Sequence, residues 1–83
     1  MIKNIEQLKV GDKVFPVYGL DKPYIASLNP YYILHIDDDV ITWAYGGNCF
    51  PHKIKFGDYR LFESVYDAKK YCVNYWRLKW DQS

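Results

Sequence analysis

Apolar and polar positions change period once along the chain. From Lys13 to Phe62 the apolar residues come in short alternating runs, broken by Gly, Pro, Asn and Asp, which predicts strands and turns. After Ser64 the apolar spacing becomes three and four residues, and the stretch Leu61 to Trp80 is the only one long and periodic enough to predict an extended helix. The expected architecture is one domain of mostly β, α+β type, with strands in residues 1–62 and a C-terminal helix over 64–80 that the sheet is built to receive.

Within the first part, Asn4 to Gln7 has capping-box spacing and predicts a helical turn that buries Ile5 and Leu8. Lys13 to Tyr18 predicts a strand, and Pro16, which cannot donate a ladder hydrogen bond, places it at an edge or a bulge. Tyr24 to Ala26 is a short extended piece, and Ser27 to Pro30 carries turn chemistry. Tyr31 to Tyr45 predicts a hairpin around Asp37-Asp38-Asp39. A two-residue loop at Asp38-Asp39 pairs Ile36 with Ile41, Leu34 with Trp43 and Tyr32 with Tyr45, which puts all six on one face and leaves His35 and Thr42 on the other. Leu34, Ile36, Ile41 and Trp43 are then expected at the centre of the core, with His35 exposed or half-exposed.

Gly46 to Asn48 is the next turn signal. His52–Phe56 and Tyr59–Phe62 flank Gly57-Asp58, which predicts a second hairpin with Ile54 opposite Leu61 and Lys55 opposite Arg60. Ser64 and Asp67 give the capping start of the helix. At 100° per residue, Val65, Ala68, Cys72, Tyr75 and Trp76 form a core-facing side. A second stripe of Tyr66, Lys70, Val73, Arg77 and Trp80 finds no place in the predicted sheet.

Composition narrows the function classes. The chain has 83 residues and a formal net charge of +1, so it has no general electrostatic pull toward nucleic acid or membrane. Its nine Tyr, three Trp and four Phe offset the small core available to so short a chain, because each buried ring removes roughly 150–250 Å² from water. Charge is uneven: four Lys face six acids up to Pro51, and seven Lys and Arg face four acids from His52 onward. An anion-binding surface is therefore expected in the second half. The beginning of the chain has no apolar leader pattern, and no apolar run reaches spanning length, so the expectation is a cytoplasmic protein with Cys49 and Cys72 as free thiols.

Chemical motifs are sparse. Cys49-Phe50-Pro51-His52 is half of a zinc pattern without its second pair. The Asp37–Asp39 run lacks the alternation of a calcium loop and reads as a solvated hairpin tip. The spacing of the two His and two Cys selects no nucleophile–base set. No catalytic residue, metal, cofactor or small-molecule substrate is expected.

The order Leu8-Lys-Val-Gly-Asp-Lys-Val14, short strands, a glycine turn, then Leu61-Phe-Glu-Ser-Val-Tyr-Asp-Ala68 into a helix resembles small SH3-like barrel proteins of phages, prophages and related bacterial mobile elements. Their last strand runs G-x-x-V-F-x-T/S-x-E-E-A into a terminal helix. Leu61, Phe62, Ser64, Asp67 and Ala68 stand at the matching positions, with Gly57 one residue farther upstream than the motif's glycine and Asp67 in place of the usual Glu. The resemblance implies a barrel or curled sheet of about five antiparallel strands, in a bacterial host, and implies no mechanism.

The functional expectation is a non-enzymatic interaction module. It binds a protein partner, or itself as a homodimer, through Tyr66, Lys70, Val73, Arg77 and Trp80. The alternative is a nucleic-acid-binding barrel that uses Lys53, Lys55 and Arg60 with nearby aromatics.

Overall fold

A computed structural model describes residues 1–19, 21–25, 28–45 and 50–82, with residues 81 and 82 in backbone only. Among these residues a 3-10 turn at Ile5–Gln7 is followed by six strands: β1 Lys13–Tyr18, β2 Tyr24–Ile25, β3 Tyr31–Asp37, β4 Val40–Tyr45, β5 His52–Lys55 and β6 Arg60–Phe62. The helix α1, Val65–Gln82, comes after β6. The strands form a curled antiparallel sheet in the order β2-β1-β3-β4-β5, with β6 also paired to β1. The expected mostly-β sheet with one C-terminal helix packed on it is what the chain forms.

The opening turn is held by the Gln7 side chain, whose Oε1 accepts the backbone N–H groups of Lys3 (2.8 Å) and Asn4 (3.1 Å). Leu8 is buried, as the spacing predicts, whereas Ile5 is only half-buried. Just before it, Ile2 bridges to Leu61 and donates to the Leu61 carbonyl at 2.7 Å, so the extreme N-terminus flanks β6.

Two clusters divide the apolar residues between the faces of the sheet. Ile2, Leu8, Val14, Ile33, Ile41, Trp43 and Leu61 fill the concave side. Val17, Phe62, Ala68 and Cys72 form the second cluster, between the sheet and α1. Period-two alternation sorts them: Leu61 faces inward and Phe62 outward on β6, while Val14 and Val17 go opposite ways on β1. The sheet therefore curls around a core of its own, and the helix lies on its outer face against β1, β2 and β6. This corrects the expectation of a sheet organised to receive the helix.

Three further expectations are corrected. In the β3–β4 hairpin, Ile36 opposes Ile41 and His35 opposes Thr42 as predicted, but a bulge between Ile33 and His35 shifts the rest. Ile33 then opposes Trp43, Tyr32 opposes Ala44 and Tyr31 opposes Tyr45. A bulge sets two residues against one, so it reverses the face of everything beyond it. Ile33 is fully buried as a result and Leu34 is 47% exposed. His35 is exposed, as expected.

The second hairpin does not form. β5 pairs with β4, setting Ile54 opposite Ile41 and Lys53 opposite Thr42, and β6 crosses over to β1, setting Leu61 opposite Pro16 and Arg60 opposite Val17. The turn is displaced by one residue from the predicted one: Asp58 N–H donates to the Lys55 carbonyl at 3.1 Å, with Gly57 third in the turn at φ +108°. Positive φ at Gly57 without positive φ at Phe56 belongs to a type II turn, which splays the flanking strands rather than pairing them. Finally, β1 is not an edge strand. Its two ends pair with β3 (Lys13, Val14) and with β2 (Val17, Tyr18), and Pro16 falls in the gap between these stretches, where the missing donor breaks no ladder.

Candidate protein-interaction surface

Ser64 starts the helix. Its hydroxyl oxygen accepts the Asp67 backbone N–H at 3.2 Å and donates to Asp67 Oδ2 at 3.0 Å, satisfying an N-terminal donor as the capping pattern predicts. Ala68 and Cys72 are buried against β1 and β6, and Tyr71 packs its ring 5.4 Å from that of Phe62. Tyr71 belongs to this contact, although the helical-wheel reading did not include it. Further along, Trp76 Nε1 donates to the Pro23 carbonyl at 3.0 Å and the Tyr75 hydroxyl donates to the Asp21 carbonyl. Val65 and Tyr75 are half-buried, and Trp76 remains 37% exposed while tethering the Asp21–Pro23 loop.

The opposite face carries the second stripe. Tyr66 is 70%, Val73 61% and Trp80 78% exposed, and Lys70 and Arg77 are exposed between them. The spacing along Tyr66, Lys70, Val73, Arg77 and Trp80 alternates four and three residues, the rhythm of a helix–helix seam. Apolar groups at the first, third and fifth positions alternate with cations at the second and fourth. Across α1 the charge comprises Lys69, Lys70, Arg77 and Lys79 against Asp67 and Asp81, so the seam sits in a net positive field. Leu78 is also exposed, off this stripe.

The residues expected to contact nucleic acid do not converge. Lys53 and Lys55 lie on β5, where Lys55 Nζ stands 3.8 Å from Asp39 Oδ2. Arg60 lies on β6 and turns to the helix side, its guanidinium carbon 5.5 Å from the Tyr71 ring centre and its Nη1 buried with no hydrogen-bond partner among the described residues. The β5–β6 hairpin that grouped the three cations is the pairing that fails to form. Cys49 and the Gly46–Asn48 turn lie outside the described residues, and with them the Cys49–His52 pattern. Cys72 is a free, buried thiol whose pKa is pushed up by desolvation.

An aromatic group that the sequence reading did not single out closes one end of the concave core. Tyr18 and Tyr59 rings lie 4.6 Å apart, Tyr59 and Trp43 5.5 Å, and Trp43 and Tyr31 4.9 Å. Burial first, and the neighbouring Tyr31 hydroxyl second, hold Tyr18 well above the ordinary tyrosine range, so it stays protonated. A cavity of about 310 Å³ lies against these rings, with His52 and Ile54 on its β5 side. Among the described residues, no helix is long and apolar enough to cross a membrane. No family model, no curated protein and no solved structure matches this chain.

Proposed function

We propose that the chain is a non-enzymatic interaction module of the phage or mobile-element type, and that the outer face of α1 takes an acidic amphipathic helix of a protein partner. The observation that carries this reading is the exposure of Tyr66 and Val73 on the face opposite Ala68 and Cys72, in a four–three rhythm with Lys70 and Arg77. Apolar seam positions on that scale are what partner helices bury. Lys70 and Arg77 decide between partners. A second copy of α1 would bring cations into the same seam, whereas a helix with Glu or Asp at the facing positions would pair with them.

Titration with a synthetic helix bearing leucine on its seam and glutamate opposite the cations tests this, with a glutamine-for-glutamate version as the control. The expected result is binding that Val73→Asp removes and that the glutamine version weakens about tenfold, the scale of one or two charge-assisted contacts. Equal binding of both peptides, or a dimer in solution that Val73→Asp dissociates, would overturn the acidic-partner reading. The nucleic-acid reading makes a different prediction, binding of short oligonucleotides that falls steeply with salt.

A further inference from the structure

Among the described residues, the curled sheet leaves a strand edge open. β5 pairs with β4, and β6 pairs with β1 on one side and meets Ile2 on the other; among the described residues no ladder joins β5 to β6. Phe56 N–H donates to the Asp39 carbonyl at 2.7 Å. Backbone groups alternate in direction along a strand, so Ile54 and His52 also point theirs at β4, while the N–H groups of Lys53 and Lys55 and the carbonyl of Lys53 turn to the open edge. The Lys55 carbonyl is already taken by Asp58 N–H.

Side chains along this edge are sorted by face. Cross-strand partners share a face, so His52 and Ile54 stand with Trp43 and Ile41 on the concave side, and Lys53 and Lys55 stand with Thr42 and Val40 on the outer side. Two cavities meet at Tyr59 beside the edge. One of about 310 Å³ reaches the Tyr18–Tyr31 rings, and the other, of about 320 Å³, lies among Ile2, Phe56 and Gly57. Backbone donors with no partner among the described residues, an aromatic-lined cavity on the inner side and lysines on the outer side thus occur together on one four-residue strand.

We infer that β5 is a second binding site, which accepts an extended segment of another protein as an added strand. That segment alternates aromatic or apolar residues, which enter the cavities about Tyr59, with acids, which meet Lys53 and compete with Asp39 for Lys55. The backbone supplies hydrogen bonds and the alternate side chains supply selectivity. Lysines on an edge strand discourage indiscriminate pairing. A second copy of β5 would set lysine against lysine, and directly opposed like charges are destabilising, so the edge selects against itself and for an acidic strand. The site is independent of the outer face of α1.

The test is a titration of the full chain, followed by amide chemical shifts, with a short peptide alternating tyrosine or valine with glutamate. Binding is expected to move the amides of Lys53, Lys55 and Tyr59 and to leave Tyr66 and Val73 in place. Methylating the peptide nitrogen that faces the Lys53 carbonyl should weaken binding about tenfold or more, the loss of one hydrogen bond with its partner left unpaired. Lys53→Pro should do the same from the protein side, because proline at an outward-facing edge position leaves the β4 ladder intact. Charge reversal with Lys53→Glu and Lys55→Glu should abolish the preference for glutamate over lysine in the peptide. No binding at millimolar peptide, shifts confined to α1, indifference to nitrogen methylation, or a solution dimer that Lys53→Pro dissociates would each overturn the proposal.

Discussion

Ile33 and Leu34 are adjacent, nearly equal in volume and equally apolar, yet they have opposite roles. Ile33 is sealed in the concave core while Leu34 stands in solvent. Ile33→Ala is expected to cost about 2–5 kcal/mol in chemical denaturation, and Leu34→Ala to stay within about 0.5 kcal/mol. The reverse order would mean the hairpin runs without its bulge. Sequence pattern cannot separate the two, because a bulge leaves no composition signal when both candidates are aliphatic. Gly19 is a second position where one atom decides. Its φ is +73°, and a Cβ there would stand 2.4 Å from the Lys22 carbonyl oxygen. Gly19→Ala therefore combines backbone strain with a clash and is expected to cost about 1–3 kcal/mol, read from the unfolding midpoint. Gly57, at φ +108° with open space around it, needs glycine for its backbone alone.

At the scale of elements, most of the legible structure came from period and capping. β1, β3, β4 and α1 follow from alternation or three–four spacing, and the Ser64 cap forms with the residues the motif names. Ser64→Ala is expected to lower stability by about 1 kcal/mol, measured by thermal or urea unfolding. Pairing between elements was less legible. A glycine turn between two short apolar runs reads as a hairpin, but the turn at Phe56-Gly57 sends β6 to the far side of β1. Which strand receives β6 depends on the curl of the sheet and on Ile2, neither of which is local to the turn. The same long-range pairing explains why Arg60 leaves Lys53 and Lys55. The outer stripe of α1 was legible because it depends only on the helix's own period, whereas the edge of β5 and the rings about Tyr59 depend on the pairing. Val73→Asp is expected to leave the unfolding midpoint nearly unchanged, within about 0.5 kcal/mol, while removing partner binding.

At the scale of the whole molecule, the curled sheet and the helix layer meet the same limit at high pH. Tyr18 on the concave side and Cys72 under the helix both have pKa values raised by burial. Above their ordinary values of 10.0 and 9.0, the unfolded chain gives up protons that the folded chain keeps. The folded state then binds more protons than the unfolded one, so stability falls as pH rises. The loss begins near the ordinary cysteine value and steepens above that of tyrosine. Unfolding followed by circular dichroism from neutral to strongly alkaline pH checks this, and Tyr18→Phe should flatten the steeper part of the curve. A thiol held under the helix should also react slowly with alkylating reagents at neutral pH until denaturant is added.

The two proposed contact surfaces fall on different elements, the stripe of α1 and the edge of β5. The helix stripe carries the main functional claim, and cross-linking in the producing cell tests it most directly. A photoreactive amino acid placed at Val73 should capture a segment of another protein, and sequencing the cross-linked peptide should show an amphipathic helix with acids spaced to meet Lys70 and Arg77. A peptide of that captured sequence should then bind the wild-type chain and fail to bind Val73→Asp. Capture of a second copy of this chain, or of segments without that acidic helical pattern, or no capture above that of the same group placed at exposed Lys9, would contradict it.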